Sequence, residues 1–125
     1  MLQRRMMSRI ALAAAGVVAA LALAAPIGAS SSVTKLTGTV GPGFTITLKK
    51  GTAKVKTLKP GSYKITVKDK SNIHDFHLKG PGVNKVITST PFQGTKTVTV
   101  KLKKGKYTYV CDPHASIMKG SFTVK

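Results

Sequence analysis

Short runs in which polar and apolar residues alternate follow one another from Val33 to the end of the chain. Residues 44–48 are FTITL, residues 63–67 YKITV and residues 98–102 VTVKL, with glycine and proline turn signals between such runs. A period of two indicates strands with one buried side, and we find no convincing helical period in this region. Short strands at this spacing predict an all-β fold, an antiparallel sandwich or a Greek-key barrel. The least regular stretch, residues 81–91, is interpreted as a long connection across one end.

The first 29 residues differ in kind from the rest. Residues 1–9 carry three arginines and no acid, residues 10–25 are apolar, and small residues follow at Gly28, Ala29 and Ser30. This order is typical of a secretory signal peptide. We therefore expect cleavage after Ala29, one domain over residues 30–125, and export to the periplasm or the cell exterior. A retained membrane anchor is the alternative, because the apolar run is close to the roughly 20 residues that a span needs.

Lysine dominates the charge of the predicted mature domain. This part has 18 lysines against Asp69, Asp75 and Asp112, and contains neither arginine nor glutamate. Lysine without arginine argues against a nucleic-acid partner, since base readout favours the planar guanidinium group. The excess of lysine either keeps the surface soluble and protects strand edges, or attracts an acidic partner protein or a polyanionic cell envelope. Both interpretations stay open.

Cys111 is the only cysteine, so the chain can form no internal disulfide. A free thiol in an exported protein is a chemical liability unless something occupies it. His114 and Met118, the one methionine of the mature region, follow within the next seven residues. Taken singly, the cysteine can be a small core residue, the methionine a gap-filler and the histidine a surface residue. Their coincidence within eight residues predicts a metal site.

The donor types select the metal. A thiolate, imidazoles and a weak thioether suit copper cycling between Cu(I) and Cu(II), whereas structural zinc prefers more cysteines and magnesium or calcium prefers oxygen. Residues 71–78, SNIHDFHL, offer a second imidazole. On a strand His74 shares a face with the apolar Phe76 and Leu78. His74 is therefore the predicted ligand, and His77 is predicted to face outward.

These motifs resemble the blue copper (cupredoxin) family, closest to its plastocyanin, pseudoazurin and amicyanin group. The resemblance spans roughly residues 33–125 and depends mostly on residues 74–78 and 107–124, in which Cys, Pro-His and Met stand in the order of the family's ligand loop. It implies an eight-stranded Greek-key sandwich and one-electron transfer. It also implies one type 1 copper ion held by His74, Cys111, His114 and Met118.

Two positions depart from the family pattern. Asp75 stands where relatives often carry asparagine, and Asp112 where they often carry a hydroxyl residue that bonds it. If both carboxylates meet there, one has a raised pKa or a lysine bridges them; otherwise one faces water. The resemblance further implies that the Asp75 N–H donates to the Cys111 sulfur. Pro113 has no N–H to add, so about one such bond is expected.

Three functions are compatible with this sequence. The resemblance favours an electron carrier, a monomer that passes electrons through His114 to a redox partner with an acidic surface. A copper carrier or metal-uptake accessory can use the same ligands without redox turnover. A wall-associated sandwich with incidental ligand residues is the structural alternative. We expect no enzyme, because three histidines and one cysteine are too few for the copper oxidases and the binuclear centres, and no nucleophile-elbow motif is present.

Overall fold

The computed structural model describes residues 32–125, so the predicted signal peptide and its cleavage site lie outside the described residues. Within this range no helix is long and apolar enough to cross a membrane. Residues 32–125 form ten strands: β1 (Thr34–Val40), β2 (Ile46–Lys50), β3 (Ala53–Lys54), β4 (Thr57–Leu58), β5 (Gly61–Asp69), β6 (Phe76–Gly80), β7 (Val83–Thr88), β8 (Gly94–Leu102), β9 (Gly105–Val110) and β10 (Lys119–Val124). A 3-10 turn, Asp112–His114, precedes β10.

The strands form two five-stranded sheets. Sheet A has the order β3-β2-β1-β5-β8, and sheet B has the order β4-β10-β9-β6-β7. The all-β sandwich that the alternation predicted is confirmed. Two strand pairs are parallel instead of antiparallel, β1 with β5 and β4 with β10. The first of these arises because the chain crosses from sheet A to sheet B at β4 and returns as β5.

Residues 81–91 contain a strand, so their interpretation as an irregular connection was wrong. Strand β7 pairs with β6 along the edge of sheet B. The register between the two strands shifts next to Phe76 and His77. Only the last two residues of β7 are buried. An edge strand of this kind has no regular polar–apolar alternation to detect.

The core lies between the sheets and fixes the spacing of the strands that end near the predicted ligands. Phe76 on β6 and Tyr109 on β9 are fully buried, and their rings stack at 5.7 Å with an angle of 8° between planes. Phe76 follows His74 by two residues, and Tyr109 precedes Cys111 by two. The stacked rings therefore set the separation of the two chain segments that carry those side chains.

Candidate metal centre

Three loops meet at one end of the sandwich. They join β1 to β2, β5 to β6 and β9 to β10. The second loop carries His74, and the third carries Cys111 and His114. The imidazole and thiol donor atoms of these three residues all lie within 4.8 Å of one another. Residues 40 positions apart in sequence are thus brought together by the loops.

The three donor atoms form a nearly equilateral triangle. His74 Nδ1 and His114 Nδ1 lie 3.2 Å apart, and the Cys111 sulfur lies 3.7 Å from the first and 3.5 Å from the second. A point equidistant from all three is about 2.0 Å from each. Metal bonds to imidazole nitrogen and thiolate sulfur have lengths of about 2.0–2.3 Å, taking zinc as the gauge. The triangle therefore fits one metal ion, and two imidazoles with a soft thiolate suit copper.

Hydrogen bonds within residues 111–118 hold this loop in shape. The N–H groups of Cys111 and Met118 donate to the carbonyls of Met118 and His114 at 3.0 and 2.9 Å. The His114 N–H donates to the Cys111 carbonyl at 3.0 Å. Pro113 occupies the first turn of the 3-10 segment, where its fixed φ suits the turn and its missing N–H is not needed. The local sequence thus holds His114 beside the thiol.

Met118 contacts Cys111 through the backbone. Its side chain is fully buried in the core, and its carbonyl accepts the bond from the Cys111 N–H. Met118 therefore lies at the end of the ligand loop, where the chain comes back to Cys111. Ligation by the Met118 sulfur stays a prediction.

The two upstream histidines occupy different environments. His74 is fully buried, whereas His77 contacts Asp112 Oδ2 through Nδ1 at 2.7 Å and Asn84 Oδ1 through Nε2 at 2.6 Å. The prediction that His74 lies on a strand was wrong. His74 lies in the loop before β6, and its neighbour Asp75 is buried too. The loop, and not strand alternation, turns His74 inward.

The two aspartates meet beside the triangle. Asp75 is 4 % exposed, and its Oδ1 accepts the Asp112 N–H at 2.6 Å. Burial raises the pKa of Asp75 to about 6, and the neighbouring Asp112 adds to the shift. Partial burial also acts to raise the pKa of Asp112, but hydrogen bonds from Asp75 and His77 outweigh it and lower that pKa. One carboxyl is thus buried with a raised pKa, while the other faces water, with Lys79 Nζ at 3.9 Å.

The sulfur receives the expected backbone bond. The Asp75 N–H donates to Cys111 Sγ at 3.4 Å. Burial raises the pKa of the Cys111 thiol, and this N–H opposes the rise. Without a cation, the site therefore favours the neutral thiol. A metal ion held by His74, Cys111 and His114 would favour the thiolate.

Phe44 is a neighbour of the site that the sequence did not identify. Its ring centroid lies 5.6 Å from that of His74 and 5.0 Å from that of His114, edge to face in both cases. The alternation of residues 44–48 had placed it on a strand, but β2 begins at Ile46. The preceding turn depends on Gly41, which has φ +75° and leaves 3.0 Å between an added Cβ and the His74 ring. The glycine-rich turn was visible in the sequence, but its contact with His74 was not.

Comparisons with known proteins agree with this geometry. A family model described as copper binding proteins, plastocyanin/azurin family, matches residues 46–125. A substituted rusticyanin is 26 % identical with a TM-score of 0.52, covering 77 % of this chain and 79 % of that one. Reduced rusticyanin is 25 % identical with a TM-score of 0.51, covering 77 % and 81 %.

A third solved structure supports the fold alone. Auracyanin A, a "blue" copper protein from the green thermophilic photosynthetic bacterium Chloroflexus aurantiacus, is 19 % identical with a TM-score of 0.52. The alignment covers 75 % of this chain and all of that one. A comparison with curated protein sequences found no match.

Proposed function

Because the chain belongs to the plastocyanin/azurin family of copper-binding proteins, we propose that it is an exported, monomeric one-electron carrier. Its copper ligands are His74, Cys111, His114 and Met118. The observation that carries this proposal is the triangle of one sulfur and two imidazole nitrogens, with sides of 3.2, 3.5 and 3.7 Å. Copper held there supplies a couple between Cu(I) and Cu(II).

The residues around the triangle suit electron transfer because little of the site has to move. The backbone bonds inside residues 111–118 fix two donors relative to each other. The Asp75 N–H stabilises negative charge on the sulfur, which acts on the redox potential. Phe44 contacts both imidazoles and restricts their rotation. A site held in one geometry through both oxidation states needs little reorganisation when an electron arrives.

His114 is the proposed electron port. It is partly exposed, whereas His74 and Cys111 are buried. Phe44 and Ile117, which are 57 and 63 % exposed, give this end of the molecule an apolar rim. A small rim of this kind suits the brief encounters of redox proteins. The many lysines favour a partner with an acidic surface, since opposite charges accelerate encounter.

The first experiment is a visible spectrum of the copper-loaded protein expressed from its complete coding sequence. We expect an intense blue thiolate-to-copper band that Cys111→Ala and His74→Ala abolish and His77→Ala retains. A loaded wild type without that band contradicts the proposal. A tight, colourless site that holds only Cu(I) supports the copper-carrier alternative instead. Reversible one-electron voltammetry of the wild type then separates redox turnover from storage.

A further inference from the structure

The outer face of sheet A has a composition that the copper site does not explain. Its outward residues alternate with buried ones along β1, β2, β5 and β8, and β3 extends it by pairing with β2. Eight of these outward residues are threonine or serine. The others are six exposed lysines: Lys35, Lys49, Lys54, Lys64, Lys68 and Lys101. We call this surface the Lys–Thr face; it has no acidic, aromatic or large apolar side chain.

Four lysines of this face form two cross-strand pairs. Lys35 is the cross-strand partner of Lys64, and Lys49 is the partner of Lys54. Like charges directly opposite in a sheet are destabilising. Threonine has an ordinary explanation, because it suits exposed strands. Protection of the sheet edge can explain the Lys49–Lys54 pair, because β3 is an edge strand. It does not explain Lys35 and Lys64, which lie on interior strands, and dispersed charges of both signs serve solubility better.

No acid in the protein neutralises this face. The chain has three acidic residues. Asp69 and Asp75 are buried. Asp112 lies in the metal-site loop, where it bonds to His77 on sheet B. The positive charge is therefore available to something outside the chain.

The positive surface continues around the edge of the sheet. Strands β7 and β8 are the edge strands of their sheets. Between them lies an open cleft of about 420 Å³, lined in part by Lys85, Lys101 and Lys103. Because Lys101 belongs to both surfaces, a long ligand that crosses the face can continue into the cleft.

We propose that the Lys–Thr face binds a linear polyol phosphate, a polymer of closely spaced phosphates joined by hydroxyl-bearing linkers. Lysine ammonium groups bind phosphate as point charges. Threonine hydroxyls can donate to phosphate oxygens and exchange hydrogen bonds with linker hydroxyls. Outward residues stand about 4.8 Å apart between strands and about 6.7 Å apart along them. This spacing presents a rigid grid of charges and hydroxyls, which lowers the entropy lost on binding.

Two other polyanionic partners fit the face less well. Single-stranded nucleic acids stack their bases on aromatic side chains, and the face has none. Membrane surfaces take up inserted apolar side chains as well as lysines, and the face offers no such chain. The copper site lies on loops at one end of the sandwich, whereas the face is formed by side chains along the outer surface of the sheet A strands. A bound polymer therefore leaves His114 free, and the proposal does not depend on copper.

The test measures binding to immobilised poly(glycerol phosphate) by the copper-loaded protein and two variants. The face variant is Lys35→Gln/Lys64→Gln/Lys68→Gln. The control variant, Lys56→Gln/Lys106→Gln/Lys125→Gln, removes the same charge from exposed positions outside the face. We expect the face variant to bind at least about tenfold more weakly and the slope of log affinity against log salt to fall by about 2. The control is expected to stay within about threefold of wild type, through its loss of general attraction alone.

Three results would overturn the proposal. Equal weakening of both variants means that the attraction is diffuse. Tighter binding of anionic phospholipid vesicles or of a single-stranded oligonucleotide through the same lysines means that the polymer is the wrong occupant. Earlier thermal unfolding of the face variant than of the control means that these lysines stabilise the fold. The proposal requires the opposite order, because relief of the Lys35–Lys64 repulsion favours the folded state.

Discussion

The end of the sandwich that carries the metal site, here called the metal end, and the Lys–Thr face hold their functional groups in two different ways. At the metal end, loops bury polar groups and leave Phe44, Ile73 and Ile117 exposed. On the face, strands leave every lysine in water and expose no large apolar side chain. The loops must hold three atoms within a few tenths of an ångström, and backbone bonds do so. The strands need only a register, which displays many weak contacts at a fixed pitch. A single substitution is therefore expected to disturb the metal end, whereas several substitutions together are needed to disturb the Lys–Thr face.

The largest effect is expected from Gly41→Ala, which acts on the metal end. The residue has φ +75°, and the new Cβ would lie 3.0 Å from the His74 ring. Backbone strain and displacement of the imidazole together are expected to destabilise the protein by about 2–4 kcal/mol, and the copper band is expected to weaken. Gly51→Ala is the control, because it has φ +63° and no neighbour within 4 Å. Denaturant unfolding and spectra of both variants measure the difference. Equal losses would show that the contact with His74 does not matter.

Asp75→Asn is expected to have a smaller, pH-dependent effect in the metal-free protein. The folded pKa of Asp75 is raised from 3.8 to about 6, chiefly by burial. Its contribution to stability is therefore complete below about pH 4 and is lost as pH rises through 6. Asparagine keeps the acceptor for the Asp112 N–H and does not ionise. The variant should gain about 1–3 kcal/mol relative to wild type between pH 4 and pH 7. Urea unfolding across this range measures the gain, and a difference that does not change with pH contradicts the assignment.

Phe44→Ala is expected to loosen the copper site while leaving the sandwich intact. The ring lies edge to face against both imidazoles, a contact worth about 0.5–1.5 kcal/mol per pair. Copper should pass to an external chelator several-fold faster, with little change in the unfolding temperature. Phe92→Ala is the control, since that ring contacts Lys96 and not the imidazoles. Similar transfer rates in the two variants would show that Phe44 does not hold the ligands.

The smallest effect is expected from Lys35→Gln on the face. Removing one of two opposed lysines should raise the free energy of unfolding by a few tenths of a kcal/mol, about 0.2–0.5, at low salt. The gain should vanish near 1 M salt, where screening extends over only about 3 Å. Lys125→Gln, at the exposed C-terminus, should show no comparable gain. Chemical unfolding at the two salt concentrations measures both, and a loss of stability in Lys35→Gln contradicts the expected repulsion.

The sequence predicted those features whose cause is local. The compact loop from Cys111 to Met118 was evident, because its residues are neighbours in the chain and one proline sets its turn. Alternation predicted the two-layer core, since burial on one side of a strand requires it. It failed for β7, an edge strand that is buried only at one end. Alternation also predicted that His74 is buried, but for the wrong reason. On a strand its neighbour Asp75 would face the opposite side, yet both residues are buried.

The features that the sequence did not predict depend on contacts between distant segments. Phe44 touches rings 30 and 70 positions away, and nothing near residue 44 indicates this. The contact between Asp75 and Asp112 was anticipated only through the family resemblance. Which carboxyl is buried followed from the fold, because His77 and Lys79 lie on the side of Asp112. The opposed lysine pairs required the strand register, which alternation alone does not supply.

The stacked rings of Phe76 and Tyr109 connect the packing of the core to the absorption band of the copper site. Each ring stands two residues from a metal-site side chain, and the rings meet at 5.7 Å. A change in ring volume is therefore expected to alter the separation of His74 and Cys111, to which a thiolate-to-copper transition responds. The absorption band of the copper-loaded protein would then report changes in the packing of the core. A single absorption spectrum would then rank packing variants that otherwise require full unfolding curves.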